Sequence, residues 1–145
     1  MSTNLWIAAT DLSDISVAAT KQAAYLANAT GGRLRLLHVH LQDIVREEFA
    51  TGEVTMREQR GICGELEKLK ETLNDSYPEL EIDVDVVSDK PIDGILDEAE
   101  RLDAKHIVLG THGRRGFAHL LMGSIAEEVV RRSKIPVTVV KSVDV

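Results

Sequence analysis

Residues 110–124, GTHGRRGFAHLLMGS, hold four glycines, two adjacent arginines and two histidines. They follow an apolar run, His106-Ile107-Val108-Leu109, and end where a helical pattern opens at Ser124. Gly110 and Gly113 frame the exit from that run, and glycine lets a ligand approach the main chain closely. Gly123-Ser124 opens a helix whose first N–H groups have no internal partner. The helix dipole makes such a start favourable for an anion, by about 0.3–1 kcal/mol and up to about 2 kcal/mol when partly buried. Several N–H groups, the Ser124 hydroxyl and one or both of Arg114 and Arg115 together suit a polyphosphate. The competing reading is a plain glycine-rich connection. The loop is not the G-x-x-x-x-G-K-[ST] phosphate loop, because no lysine follows Gly123. It is not the dinucleotide fingerprint either, since Thr10-Asp11-Leu12-Ser13 after the first apolar run contains no glycine.

Asp11 is the one carboxylate placed with confidence near the same mouth. It could bind ribose hydroxyls, help hold a phosphate-bound metal, or simply cap or turn the chain. His38 and His40 are two apart on a predicted strand and share a face. They make half a zinc site at most, since zinc takes three or four protein ligands. Cys63 is the single cysteine, which excludes an internal disulfide and fits a reducing compartment. The net charge of −7 argues against a nucleic-acid binder. Between positions 105 and 134, however, six basic residues face two acidic ones (Glu127 and Glu128), a local balance suited to a small anion.

The elements that must position these groups follow from periodicity. Leu5–Ala9 reads as a buried strand, and Ser13 or Asp14 caps a helix with apolar positions Val17, Ala18, Ala24, Tyr25, Ala27 and Ala29. Gly31-Gly32 stops it. Leu34–Val39 is a second strand. Residues 42–55 show no clean period and are expected as loop or irregular helix. Met56–Leu73 is an amphipathic helix with an Ile62, Leu66, Leu69, Leu73 stripe. Ile82–Val87 alternates with Asp83 and Asp85, as near a sheet edge. Pro91 opens a helix bearing Ile92, Ile95, Leu96, Ala99 and Leu102. Ile107–Leu109, Ser124–Arg132 and Pro136–Val140 complete a β-α-β-α-β-α-β-α-β order. Alternating elements imply an α/β fold, one domain over residues 1–145. Right-handed crossovers favour a doubly wound five-stranded parallel sheet, order 3-2-1-4-5, with helices on both faces. Its ligand crevice then lies where the winding reverses, between strands one and four.

Gly110-x2-Gly113-x9-Gly123-Ser124 resembles the G-x2-G-x9-G-[ST] signature of nucleotide-binding universal stress proteins. "HIVLGTHGRRG", "LLMGSIAEEVVRRSKIPVTVVK" and "LRLLHVH" are similar to that family as well, and the likeness is weakest from Gln42 to Ser76. The resemblance implies the same fold and a site for ATP with Mg or Mn. Gly110, Gly113, Gly123 and Ser124 would hold triphosphate and ribose, with main-chain contacts from Ile125 and Ala126. Asp11, near Thr10, would face the nucleoside, and Val39 would present its backbone to adenine. Arg114 is a further phosphate candidate. Many members carry proline two residues before the aspartate, where this chain has Ala9. The resemblance also implies a homodimer joined through the last strand, Val137 to Lys141.

The function expected is an ATP-binding regulator or sensor of a stress response that acts on a partner protein. It would be cytoplasmic, without membrane insertion, signal peptide or nucleic-acid partner. Two other classes stay open: a slow ATP hydrolase or phosphoryl- or adenylyl-transfer enzyme, and an interaction module with a vestigial pocket. Arg131-Arg132 oppose the dipole at the last helix's end.

Overall fold

The structure is a computed structural model that describes residues 4–40, 52–111 and 123–141, with side chains described from residue 58 onward in the second stretch. These residues form β1 (Leu5–Ala9), α1 (Asp14–Ala29), β2 (Arg33–His40), α2 (Gly52–Ser76), β3 (Ile82–Ser88), α3 (Pro91–Arg101), β4 (His106–Gly110), α4 (Ser124–Arg132) and β5 (Val137–Val140). The five strands make one parallel sheet in the order β3-β2-β1-β4-β5. This is the expected doubly wound α/β fold.

β1 is buried at every residue and has no charged side chain, as a strand covered on both faces requires. Alternation splits its contacts. Trp6 and Ala8 join Leu34, Leu36 and Val108 in a core under α1 and α2. Leu5, Ile7 and Ala9 join Leu37, Ile107 and Leu109 in a second core under α3 and α4. Each fully buried leucine, such as Leu36 or Leu66, contributes about 1.5–3 kcal/mol over an exposed one.

The buried face of α1 differs from the expected one. Ser16, Ala19, Thr20, Ala23, Ala24 and Ala27 are buried, whereas Ala18 and Ala29 are exposed and Tyr25 is 54% exposed. Small side chains let this helix lie close on the sheet, so two hydroxyl residues belong to the inner face and the tyrosine does not. The Thr20 hydroxyl donates to Val17 O at 2.6 Å, which satisfies its polarity within the helix. Ser13 is the N-cap, and the helix ends with Gly31 at φ +70°, its N–H on Asn28 O and the Gly32 N–H on Ala27 O. α2 begins at Gly52, so the last part of the segment expected as irregular is helical, while residues 41–51 lie outside the described ones.

The two sheet edges differ in chemistry. On β3, Asp83 and Asp85 face Arg35 of β2 at 2.9 Å and 3.1 Å. Glu98 of α3, nearly buried, receives two hydrogen bonds from Arg101, at 2.9 Å and 2.8 Å. These bonds hold its carboxyl below the usual glutamate range against the opposing effect of burial, helped by the charge of Arg35. Inward charges of this kind guard an edge strand. β5, VTVV, is half-buried throughout and carries no charge. Arg132 pairs with Asp93 at 3.2 Å and ties α4 to α3, and Arg131 pairs with Glu127 and Glu128, so both arginines have acidic partners besides the helix end.

Candidate functional site

The winding reverses beside β1, whose neighbours are β2 and β4. Continuing the observed registers past Ala9↔Leu37 and Ala8↔Val108 sets Thr10 beside His38 and Gly110, and Asp11 beside Val39. The carboxyl ends of three adjacent strands therefore carry Val39, Thr10-Asp11 and Gly110. Adjacent strands lie about 4.8 Å apart, so these ends span about 10 Å.

The β4 exit is closed by main-chain bonds. The Thr111 N–H donates to Val140 O at 3.0 Å, and the Thr111 carbonyl accepts from the Gly123 N–H. The chain thus leaves the sheet at Thr111 and meets itself at Gly123, the N-cap of α4 (φ −74°, ψ 163°), which makes no side-chain capping bond. The first N–H to bond back inside α4 is that of Glu127, to Gly123 O at 3.0 Å. The N–H groups of Ser124, Ile125 and Ala126 have no acceptor within the helix. Ile125 is 42% exposed and Ala126 is buried. Three N–H groups at the positive end of a helix form an anion cradle. Gly113 and Arg114, with Arg115, His112 and His119, lie outside the described residues.

Gly110 has a structural reason to be glycine. A Cβ there would lie 3.1 Å from Ile15 Cγ1, 3.2 Å from Ile15 O and 3.3 Å from Ile15 C. The first turn of α1 thus packs directly on the β4 exit. Val39 is fixed similarly, since a side chain on Gly94 of α3 would meet both of its methyl groups, at 2.7 Å and 2.9 Å. Its side chain is committed to the α3 face, and its main chain remains at the β2 end.

Just past β1, Asp11 Oδ1 accepts from the Ser13 N–H at 3.0 Å and the Ser16 hydroxyl at 2.9 Å. Thr10, 5% exposed, places its hydroxyl 2.7 Å from Ser16 Oγ and accepts the Leu12 N–H at 2.9 Å. Leu12 adopts φ +66°, a left-handed conformation costly for a leucine. The sequence reading saw Ser13 only as a cap and missed Ser16. The signal available was the Asp-x-Ser-x-x-Ser spacing after a strand.

His38 Nδ1 lies 2.9 Å from Thr10 O, which ties the ends of β1 and β2 together. His40 Nε2 lies 3.5 Å from Glu58 of α2, and the two rings are tilted, 6.3 Å apart. Among the described residues no group of three or more His, Cys, Asp or Glu side chains is placed to hold a metal ion. Cys63 is half-buried on α2, and no described helix is long and apolar enough to cross a membrane.

Sheet, crevice and helix start define a doubly wound α/β protein with a helix N-terminus at the mouth between β1 and β4. The chain belongs to the universal stress protein family, whose family model matches residues 7–141. It is 27% identical to the universal stress protein YxiE of Bacillus subtilis over 146 residues, covering 95% of this chain and 99% of that protein. It is 31% identical over 139 residues to a universal stress protein of Mycolicibacterium smegmatis, covering 90% of this chain and 43% of that longer protein. Among solved structures, hypothetical protein MJ0577 superposes with a TM-score of 0.85 at 25% identity over 100% of both chains. A universal stress protein solved in complex with cAMP superposes with a TM-score of 0.72 at 24% identity, covering 94% of this chain and 96% of that one.

Proposed function

We propose that residues 1–145 act as one nucleotide-binding domain that takes ATP at the β1–β4 mouth and reports its occupancy to a partner protein in a cytoplasmic stress response. The observation that carries this reading is the α4 start, pinned by Thr111 to the exit of β4, with the N–H groups of Ser124, Ile125 and Ala126 turned out of the helix's own bonding. The phosphates would lie on those groups and on the Ser124 hydroxyl, beside Gly110, Gly113, Gly123 and Arg114. Asp11 would receive the ribose, or a Mg or Mn ion carried by the phosphates, and the Val39 main chain would meet adenine. The complex of a family fold with cAMP supports an adenine nucleotide as the ligand class. Calorimetric titration with ATP and magnesium tests the reading, with one site per chain expected. No heat at millimolar ATP would refute it, and phosphate release well above the buffer rate would make the protein an ATP hydrolase instead. Gly123→Val should weaken binding in a folded protein.

Pairing of β5 with a second copy completes the proposal. The bonds Ile107 N–H to Pro136 O and Thr111 N–H to Val140 O show that positions 136, 138 and 140 serve β4. By alternation Val137 and Val139 turn their main-chain groups to the open edge. An uncharged edge of this kind invites isologous pairing, while β3 is guarded by its acids. Val139→Pro removes one edge donor without touching the β4 ladder. It should turn a dimer into a monomer by sedimentation, and an unchanged mass would move the interface elsewhere.

A further inference from the structure

The hydroxyl groups around Asp11 form a hydrogen-bonded chain. The Leu12 N–H donates to Thr10 Oγ1 at 2.9 Å, and Thr10 Oγ1 lies 2.7 Å from Ser16 Oγ. Ser16 Oγ lies 2.9 Å from Asp11 Oδ1. The Ser16 hydroxyl has two acceptors in reach, Asp11 Oδ1 at 2.9 Å and Ser13 O at 3.0 Å, and with its proton on Asp11, which only accepts, Thr10 supplies the proton between the two hydroxyls. Ser13 adds its hydroxyl to Ser16 Oγ at 3.2 Å and its N–H to Asp11 Oδ1 at 3.0 Å. Thr10 and Ser16 are both buried, 5% and 6% exposed, so water competes little for these bonds. Such a relay strengthens along its length and ends in a charge-assisted bond. Two donors on Oδ1 restrict the carboxylate about its last torsion.

We propose that Ser16 is a positioning residue that orients the Asp11 carboxylate toward ribose hydroxyls, so that the mouth selects ribonucleotides over 2′-deoxyribonucleotides. The proposal rests on the nucleotide reading above. The strand order supplies the geometry. Val39 ends β2, Asp11 follows β1 and the α4 cradle stands beside β4, so a nucleotide with its base at β2 and phosphates at β4 has its sugar over β1. Ribose presents two hydroxyl donors there and 2′-deoxyribose one, and a rigid acceptor discriminates between them where a swinging one does not.

The test is calorimetric titration of ATP and 2′-deoxyATP into the full chain, Ser16→Ala, Asp11→Asn and the double variant. Ser16→Ala should weaken ATP by roughly threefold to tenfold, the scale of one lost hydrogen bond. It should leave 2′-deoxyATP within about a factor of two, and it should add nothing in the Asp11→Asn background. Equal losses for both nucleotides, or additive losses in the double variant, would make Ser16 a structural residue and overturn the proposal. Amide hydrogen exchange in nucleotide-free protein reads the relay directly. The Ser13 N–H, held by Asp11 Oδ1, should lose protection in Ser16→Ala while core amides keep theirs, and unchanged Ser13 protection overturns the proposal. If the parent binds neither nucleotide, the nucleotide reading fails, and the exchange result alone decides whether Ser16 holds Asp11.

Discussion

Gly110→Ala probes the junction on which the whole mouth depends. The added methyl group would stand 3.1–3.3 Å from three atoms of Ile15, of which two are main chain. Comfortable carbon contacts are about 3.5–4.0 Å, so the first turn of α1 must retreat by a few tenths of an ångström. Overpacking of this kind costs about 1–3 kcal/mol. Against it stands a gain of about 0.4–1 kcal/mol, because alanine restricts the unfolded chain more than glycine does. The net expectation is a loss of about 0–2.6 kcal/mol, which lowers Tm by up to about 10 °C in a chain of this size. Urea titration and thermal melts of parent and variant read it. Ile15→Ala removes Cγ1 but leaves the carbonyl group in place, so it should rescue Gly110→Ala in part. The displaced turn also carries Ser16, so nucleotide affinity should fall along with stability. A variant more stable than the parent, or full rescue by Ile15→Ala, would show that the α1 main chain does not constrain this position.

Other perturbations test other layers of the fold. Leu66, fully buried on α2, should cost about 2–5 kcal/mol when changed to alanine, read as a urea midpoint with an unchanged slope. His106 stacks on Trp6 with ring centroids 3.8 Å apart, and burial pushes its pKa down. Between that lowered value and about 6.5, the unfolded value, the unfolded chain binds the extra proton. Stability should therefore fall as pH drops through this window, and His106→Phe should flatten the decline relative to the parent in urea midpoints from pH 7.5 to 5. Arg101 keeps Glu98 ionised below the ordinary glutamate range. The stability due to that pair is present above the ordinary value and disappears as pH falls through the lowered one, so Arg101→Leu should lose most at pH 7 and converge on the parent in acid.

Periodicity and handedness sufficed for the sheet. Uninterrupted apolar runs put β1 and β4 in the middle, and the Asp83-Val84-Asp85 alternation put β3 at a margin, where Arg35 now meets both acids. The face of α1 was not legible, because alanine has too little hydrophobic contrast to mark one. Ser16 and Thr20 look like surface residues until the helix is seen pressed against β4. At the mouth, Gly123-Ser124 announced a helix start, and the structure has one there. Gly110 reads in sequence as room for a ligand, whereas the space a side chain would fill faces the Ile15 main chain. That contact joins residues 95 positions apart and leaves no local trace. The Thr10-Asp11-Ser16 relay was hidden for another reason, since a serine in a first helical turn already has a sufficient role in capping.

The bond between Thr111 and Gly123 has a bearing on how this chain can vary. The two feet of the intervening segment stand together on the sheet, so its ends are brought together by the fold and not by its own residues. Doubling the length of such a segment costs only about 0.6 kcal/mol in closure entropy. Strand exit and helix start thus share one main-chain anchor, and a change at either position is felt at the other.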